Sequence, residues 1–289
     1  MRANTALRIS TNKDVNDRII MEHIETKATK GITLTTPAKI NLGLNITQRR
    51  ADGYHDLETV FFPVPPFSDT LSFTVNDQRK EGCTLSMKGI EIQGEASDNL
   101  VCRAYRLLDQ EFHLPPVDIM LEKHIPTQAG MGGGSSDCAA TVLALNKLFA
   151  LGLSVDEMQK RVATLGADCA FFINPTPSYA IGIGEILTSI PLTLCDCHIE
   201  VVKPNVSVST REAFQGIRPR KPEHNCREIV LNTPVEAWRD TLRNDFEETI
   251  FPLHPELAEI KLDFYRRGAA YAAMSGSGSA VFGIFRDEN

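Results

Sequence analysis

Long apolar runs are absent from this chain. Nowhere do about 18 apolar residues follow one another, which excludes a membrane-spanning helix. Residues 1–30 lack the apolar core of a secretory signal and carry several acidic side chains, unlike a transit segment. Positive charge is in short supply: 30 Lys and Arg face 37 Asp and Glu, for a net charge of −7. A nucleic-acid partner, which needs a basic face, is therefore not expected, although a small anionic substrate can still meet a locally positive loop. The seven cysteines are odd in number and include no C-x-x-C pair. Cys195 and Cys197 form a lone C-x-C with no His pair at ligand spacing, so no metal site is read. Reduced thiols, and hence the cytoplasm, are expected. Internal repeats at the ~20–50-residue periods of solenoids are absent too.

What is present is an ordinary globular composition, 42% hydrophobic and 23% charged over 289 residues, enough for one large domain or two small ones. Its most particular stretch is Pro126-Thr127-Gln128-Ala129-Gly130-Met131-Gly132-Gly133-Gly134-Ser135-Ser136-Asp137. Before it, Val117, Ile119, Leu121, Lys123 and Ile125 alternate as in a strand. After it, Ala139, Val142, Leu143, Leu145, Leu148 and Phe149 share one helical stripe. Glycines let backbone amides approach a ligand closely, and the first N–H groups of a helix are unpaired at its positive end. Strand, glycine loop and helix together make a phosphate site. The loop is not of Walker type, since no Lys-Ser/Thr follows a glycine at the required spacing, and it lacks the third glycine of the dinucleotide fingerprint. A plain glycine turn before a core helix is the competing reading.

Along the chain, residues 1–30 read as a polar extension outside the core. From Ile32 an alternating pattern predicts a strand interrupted at Pro37, with Lys39 in apolar surroundings within Pro37-Ala38-Lys39-Ile40-Asn41-Leu42. Arg49-Arg50-Ala51-Asp52-Gly53-Tyr54-His55 predicts a turn whose rings and arginines suit a flat polar ring plus phosphate; an exposed basic turn is the alternative. Strands are predicted over Leu71–Val75 and Leu85–Ile92, and then a helix capped by Ser97 or Asp98 that stops before Pro115. Ser154 and Glu157 form a capping box. Asp168, heading an apolar run after Gly166, is either a helix cap or a chemical group. A second portion starts at Pro191, with loop expected over 218–234 and a helix from Pro255 to Arg267. Two strands then flank Ser275-Gly276-Ser277-Gly278-Ser279, either a hairpin turn or a second phosphate-facing loop.

Pro37 to Leu44, Pro126 to Asp137 and Met274 to Ala280 stand in the order of three motifs of the GHMP kinase superfamily, which the chain resembles from about Ile32 to Phe285. Pro37-Ala38-Lys39-Ile40-Asn41-Leu42, Arg50-Ala51-Asp52-Gly53-Tyr54-His55 and Gly166-Ala167-Asp168 bring it nearest to the branch acting on a cytidine-diphosphate-linked methylerythritol. The resemblance implies an α+β kinase of two lobes with the site in the cleft between them. Residues 31–190 would be the ATP-binding N-terminal domain and 191–289 the C-terminal domain. It implies transfer from ATP, accompanied by magnesium, to the 2-hydroxyl of that small-molecule acceptor. Asp168 would be the base and Lys39 its electrostatic partner. Pro126, Thr127, Gln128, Ala129, Gly130, Met131, Gly132, Gly133, Gly134, Ser135 and Ser136 would wrap the ATP phosphates, with Asn99 and Lys123 on the nucleotide side. Ser136 is also a candidate magnesium ligand, although no metal cluster is read. Asn41, Tyr54, His55 and Phe214 would face the acceptor, the rings holding cytosine. Rival readings are another kinase of the superfamily, such as mevalonate kinase, or a nucleotide-binding regulator without catalysis. The joint presence of Lys39 and Asp168 speaks against the regulator.

Overall fold

The computed structural model of the chain describes residues 6–9, 21–26, 29–92 and 94–287. Two short strands come first, β1 (Ala6–Ile9) and β2 (Met21–Thr26). Then β3 (Thr29–Arg49) runs antiparallel to β4 (His55–Val75) along nearly its whole length. The first lobe continues with β5 (Cys83–Gly89), α1 (Leu100–Phe112), β6 (Val117–Lys123), α2 (Gly133–Leu148), α3 (Val155–Ala163) and the hairpin of β7 (Ser178–Gly182) and β8 (Ile186–Ser189). Its sheet has the order β2-β3-β4-β6-β5, with β7 added on β4 and β8 on β7. The second lobe holds β9 (Cys197–Val202), the short helices α4 (Thr210–Phe214), α5 (Cys226–Asn232), α6 (Trp238–Thr241) and α7 (Glu247–Ile250), the longer α8 (Pro255–Arg266), and the hairpin of β10 (Tyr271–Met274) and β11 (Val281–Arg286). Its sheet runs β1-β9-β11-β10. This is the two-lobed α+β architecture that the motif order implies.

Several elements differ from the sequence reading. Pro37 does not end its strand. The β3–β4 register shifts between Pro37, opposite Ser68, and Ala38, opposite Val64, so Pro65, Pro66 and Phe67 bulge out of β4. A bulge is where a strand tolerates residues that cannot donate to the ladder. β4 itself begins at His55, well before the predicted Leu71, because its prolines masked the pattern. The cap of α1 is Asn99, whose side chain accepts from the Val101 N–H, while residues 96–98 form a 3-10 turn. The expected loop over 218–234 contains α5, started by a capping box of Asn225 and Glu228. The stretch read as a polar extension supplies an edge strand to each sheet, β1 beside β9 and β2 beside β3.

Three apolar clusters hold the molecule together. The first packs α1, α2 and the 171–173 segment on the first sheet, around Tyr105, Phe73, Phe171 and Phe172. The second lies between the sheets, around Phe62, Trp238, Tyr271 and Phe282. The third sits under α8, around Phe246, Phe264 and Met274. β3 contributes to all three: Ile32 and Leu34 to the first, Ala38, Ile40 and Leu42 to the second, Leu44 and Ile46 to the third. Each of the buried Ile and Leu side chains stabilises the fold by roughly 1.5–3 kcal/mol.

Candidate active site

A cleft of about 1030 Å³ opens where the two lobes meet. One wall is the glycine loop between β6 and α2. In the first turn of α2, the N–H groups of Gly133, Gly134 and Ser135 have no acceptor inside the helix, and they stand at its positive end. Gly130 has φ +70°, and a Cβ there would lie 1.9 Å from the Ser275 carbonyl oxygen, so only glycine lets the two glycine-serine loops touch. They are also stitched together. The Ser275 hydroxyl donates to the Gly130 carbonyl at 2.9 Å, and the N–H groups of Ser279 and Ala280 donate to the carbonyls of Gln128 and Ala129 at 3.2 and 3.1 Å. The second loop is a hairpin connection, and Gly276, Ser277 and Gly278 line the same cleft.

Lys39 lies beneath the glycine loop with its side chain 3% exposed. Its N–H donates to the Met131 carbonyl at 3.0 Å. Its ammonium donates to Asn41 Oδ1 at 2.6 Å and to the Gly130 carbonyl at 2.9 Å, and it stands 3.3 Å from Asp168 Oδ2. Asn41 in turn donates to the Thr59 hydroxyl at 3.0 Å. At the start of the 167–173 turn stands Gly166, and among the described residues Asp168 forms no hydrogen bond to a backbone N–H, which speaks against the helix-cap reading. Its carboxylate is one third open to the cleft. A buried cation is thus held in place by three partners, with one of them, a carboxylate, facing the space where a substrate would sit.

Lys123 is a second buried ammonium, on the inward face of β6. It donates to Asp69 and, at 2.7 Å, to Asp137 Oδ2. Asp69 also accepts from the N–H groups of His124 and Ile125 at 2.6 and 2.8 Å. Asp137 Oδ1 is buried without a partner. Burial pushes the Asp137 carboxyl up to about 8, against the opposing pull of Lys123. A proton on Asp137 leaves one ammonium facing one carboxylate, the arrangement that avoids an uncompensated buried charge.

Two segments match known domains: GHMP kinases N terminal domain over residues 99–175, and GHMP kinases C terminal over 230–289. A protein of Bacteroides thetaiotaomicron named 4-diphosphocytidyl-2-C-methyl-D-erythritol kinase is 52% identical over 251 residues, covering 87% of this chain and 91% of its own. The chain belongs to the GHMP kinases. Within them, a Porphyromonas gingivalis relative of the same name is 44% identical over 253 residues, with 87% of this chain and 91% of its own covered. A crystal structure titled 4-(cytidine 5'-diphospho)-2C-methyl-D-erythritol kinase superposes with a TM-score of 0.73 at 33% identity, covering 87% of this chain and 89% of that one.

In this GHMP kinase the cleft gathers Lys39, Asn41, Tyr54, His55, Asn99, Lys123, Asp168, Phe214 and every residue of the glycine loop from Pro126 to Ser135. Ser136 is the exception. Its hydroxyl is fully buried, donating to the Pro37 carbonyl at 2.6 Å and lying 2.6 Å from the Thr36 hydroxyl. Adjacent residues on a helix point about 100° apart, so with Ser135 on the cleft Ser136 turns toward β3. In this arrangement its hydroxyl faces Pro37 and Thr36 rather than the cleft. Asn99 is at once a cleft residue and the cap of α1. His55 and Phe214 stack on each other at 4.7 Å and 21°, and Phe246 meets Phe214 edge-on at 4.9 Å. Tyr54, 61% exposed, keeps its ring free. Burial, with help from Arg49, lowers the pKa of His55. Sequence reasoning missed Asn244, whose buried amide donates to the carbonyls of Met274 and Gly276 at 2.7 and 2.8 Å and so fixes the second loop. A lone Asn outside any motif gave no signal. Among the described residues, no helix is long and apolar enough to cross a membrane, and no group of three or more His, Cys, Asp or Glu could hold a metal ion.

Proposed function

We propose that this kinase transfers the γ-phosphoryl group of ATP to the 2-hydroxyl of 4-diphosphocytidyl-2-C-methyl-D-erythritol. The observation that carries the proposal is the Lys39–Asp168 pair at 3.3 Å, set beneath a glycine loop that lines the same cleft. The loop suits a nucleoside triphosphate, because glycine at 133 lets its backbone lie close against β6, where a Cβ would come 2.9 Å from both buried Ile125 and the Lys123 ammonium. Magnesium would arrive with the nucleotide; among the described residues no group of three or more His, Cys, Asp or Glu could hold it. ATP supplies the phosphoryl group; the chain supplies position and charge.

The first-turn N–H groups of α2 hold phosphate oxygens. Asn41 orients the acceptor hydroxyl beside Asp168, which takes its proton. The Lys39 ammonium offsets the negative charge that develops as the proton leaves. The cytosine ring has Tyr54 as its free stacking face, with His55 and Phe214 beside it as a preformed pair. The seven free cysteines support a reducing, cytoplasmic setting.

The test is an ATP-consumption assay with three additions: the cytidine acceptor, mevalonate, or neither. ADP release that depends on the cytidine acceptor is expected. Faster turnover of mevalonate would redirect the reading to another kinase of the superfamily, and no acceptor-dependent release would make the protein a binder.

A further inference from the structure

Among the described residues, three Lys or Arg side chains stand on the cleft wall: Lys39, Lys123 and Arg211. The first is tied to Asp168, Asn41 and Gly130, the second to Asp69 and Asp137. Arg211 is exposed, and among the described residues its guanidinium has no hydrogen bond or ion pair. It lies three residues before Phe214 in the single turn of α4. Residues so spaced share a face of a helix, so Arg211 rises on the side that carries Phe214 to His55. Its neighbour Glu212 points elsewhere, to His254 at 3.4 Å.

The proposed acceptor has a base at one end and the reacting hydroxyl at the other, joined by a diphosphate. The ring group fixes the base end of the cleft and Lys39 with Asp168 fixes the hydroxyl end. The bridge then carries about two negative charges through the space between, and neither buried ammonium is free to meet them. We propose that Arg211 binds this diphosphate, and that it makes the site specific for a nucleoside diphosphate conjugate over an uncharged alcohol of the same shape. Its planar fork suits two phosphate oxygens at once. The inference rests on the acceptor reading given above.

Calorimetry on the full chain with cytidine and with cytidine diphosphate separates the base from the bridge. In the unaltered protein the diphosphate should bind more tightly than the nucleoside, by a margin that shrinks as salt is raised. Arg211→Gln should weaken the diphosphate about tenfold, equivalent to about 1.4 kcal/mol, and leave cytidine unchanged. The same variant should raise KM for the acceptor rather than lower kcat, and Arg211→Lys should recover part of the loss. If Arg211→Gln weakens both probes alike, or neither, Arg211 does not read the diphosphate. Acceptor turnover by the unaltered protein in that case would leave the kinase reading standing. An unaltered protein that neither turns over the acceptor nor prefers the diphosphate would overturn both.

Discussion

Replacing Asp168 by Asn tests the chemistry directly. Amide and carboxylate have nearly the same shape, so the exchange removes proton acceptance and the charge while leaving the outline of the site. The side chain is one third exposed and, among the described residues, bonds no backbone N–H. Its partner Lys39 is 3% exposed, so losing the charge opposite leaves a buried ammonium with only Asn41 and the Gly130 carbonyl as acceptors. The thermal midpoint should therefore fall, in a protein that still folds. The rate should fall by roughly 10²–10⁴, which is about 2.7–5.5 kcal/mol of barrier. Lys39→Met should also lower kcat, at a cost in stability, because it leaves the Asn41 and Gly130 acceptors without their buried donor. If the two groups act as one unit, the double variant should be little slower than the poorer single one. Single-turnover kinetics on the three variants, with melting curves as the folding control, gives all of these quantities. An Asp168→Asn protein with the full single-turnover rate would refute the assignment of the base.

The other expectations follow from the loop, the rings and the buried carboxylates. Gly133→Val places a branched side chain 2.9 Å from buried Ile125 and Lys123 at its first carbon, so it should push the loop off β6, lowering the melting midpoint as well as the ATP affinity read by calorimetry; unchanged affinity would make the loop a plain turn. The uridine analogue of the acceptor should lose roughly 10–100-fold in kcat/KM, the effect of about 1–3 kcal/mol for a buried polar group left unpaired; equal values for the two bases would remove the base from recognition. The raised Asp137 carboxyl binds a proton up to about pH 8 in the folded chain, against 3.8 for a free aspartate. Between those values the folded state holds the extra proton, so stability should fall as pH rises through that window, by about 1.4 kcal/mol per unit. Asp137→Asn should flatten this slope in urea unfolding at pH 5.5 and 7.5, and an unchanged slope would place the proton elsewhere.

The strand, glycine loop and helix around Gly130 were readable because each carries a strong local signal: alternation, backbone freedom and a helical stripe. Lys39 could be singled out because a lysine among apolar strand residues needs a reason. Ser135 and Ser136 could not be told apart, since two adjacent hydroxyls look alike in sequence and differ only in which way the helix turns them. The length of β4 was hidden by Pro63, Pro65 and Pro66, whose backbone cannot donate, although the chain bulges and continues. Asp69 and Asn244 could not be found at all. Their roles arise from chain segments 54 and 30 residues away, at Lys123 and Met274, and no local pattern records such a meeting.

β3 reaches every apolar cluster, which limits how this enzyme can change over generations. A lobe exchanged with a relative would have to bring a β3 that suits three packing environments at once, or be met by compensating substitutions in all of them. The strand bearing Lys39 and Asn41 is also the shared wall of the interior. Variation in this protein should therefore concentrate in what hangs from the strand, the loops and short helices of the acceptor side. A change of substrate could begin there without disturbing the catalytic pair.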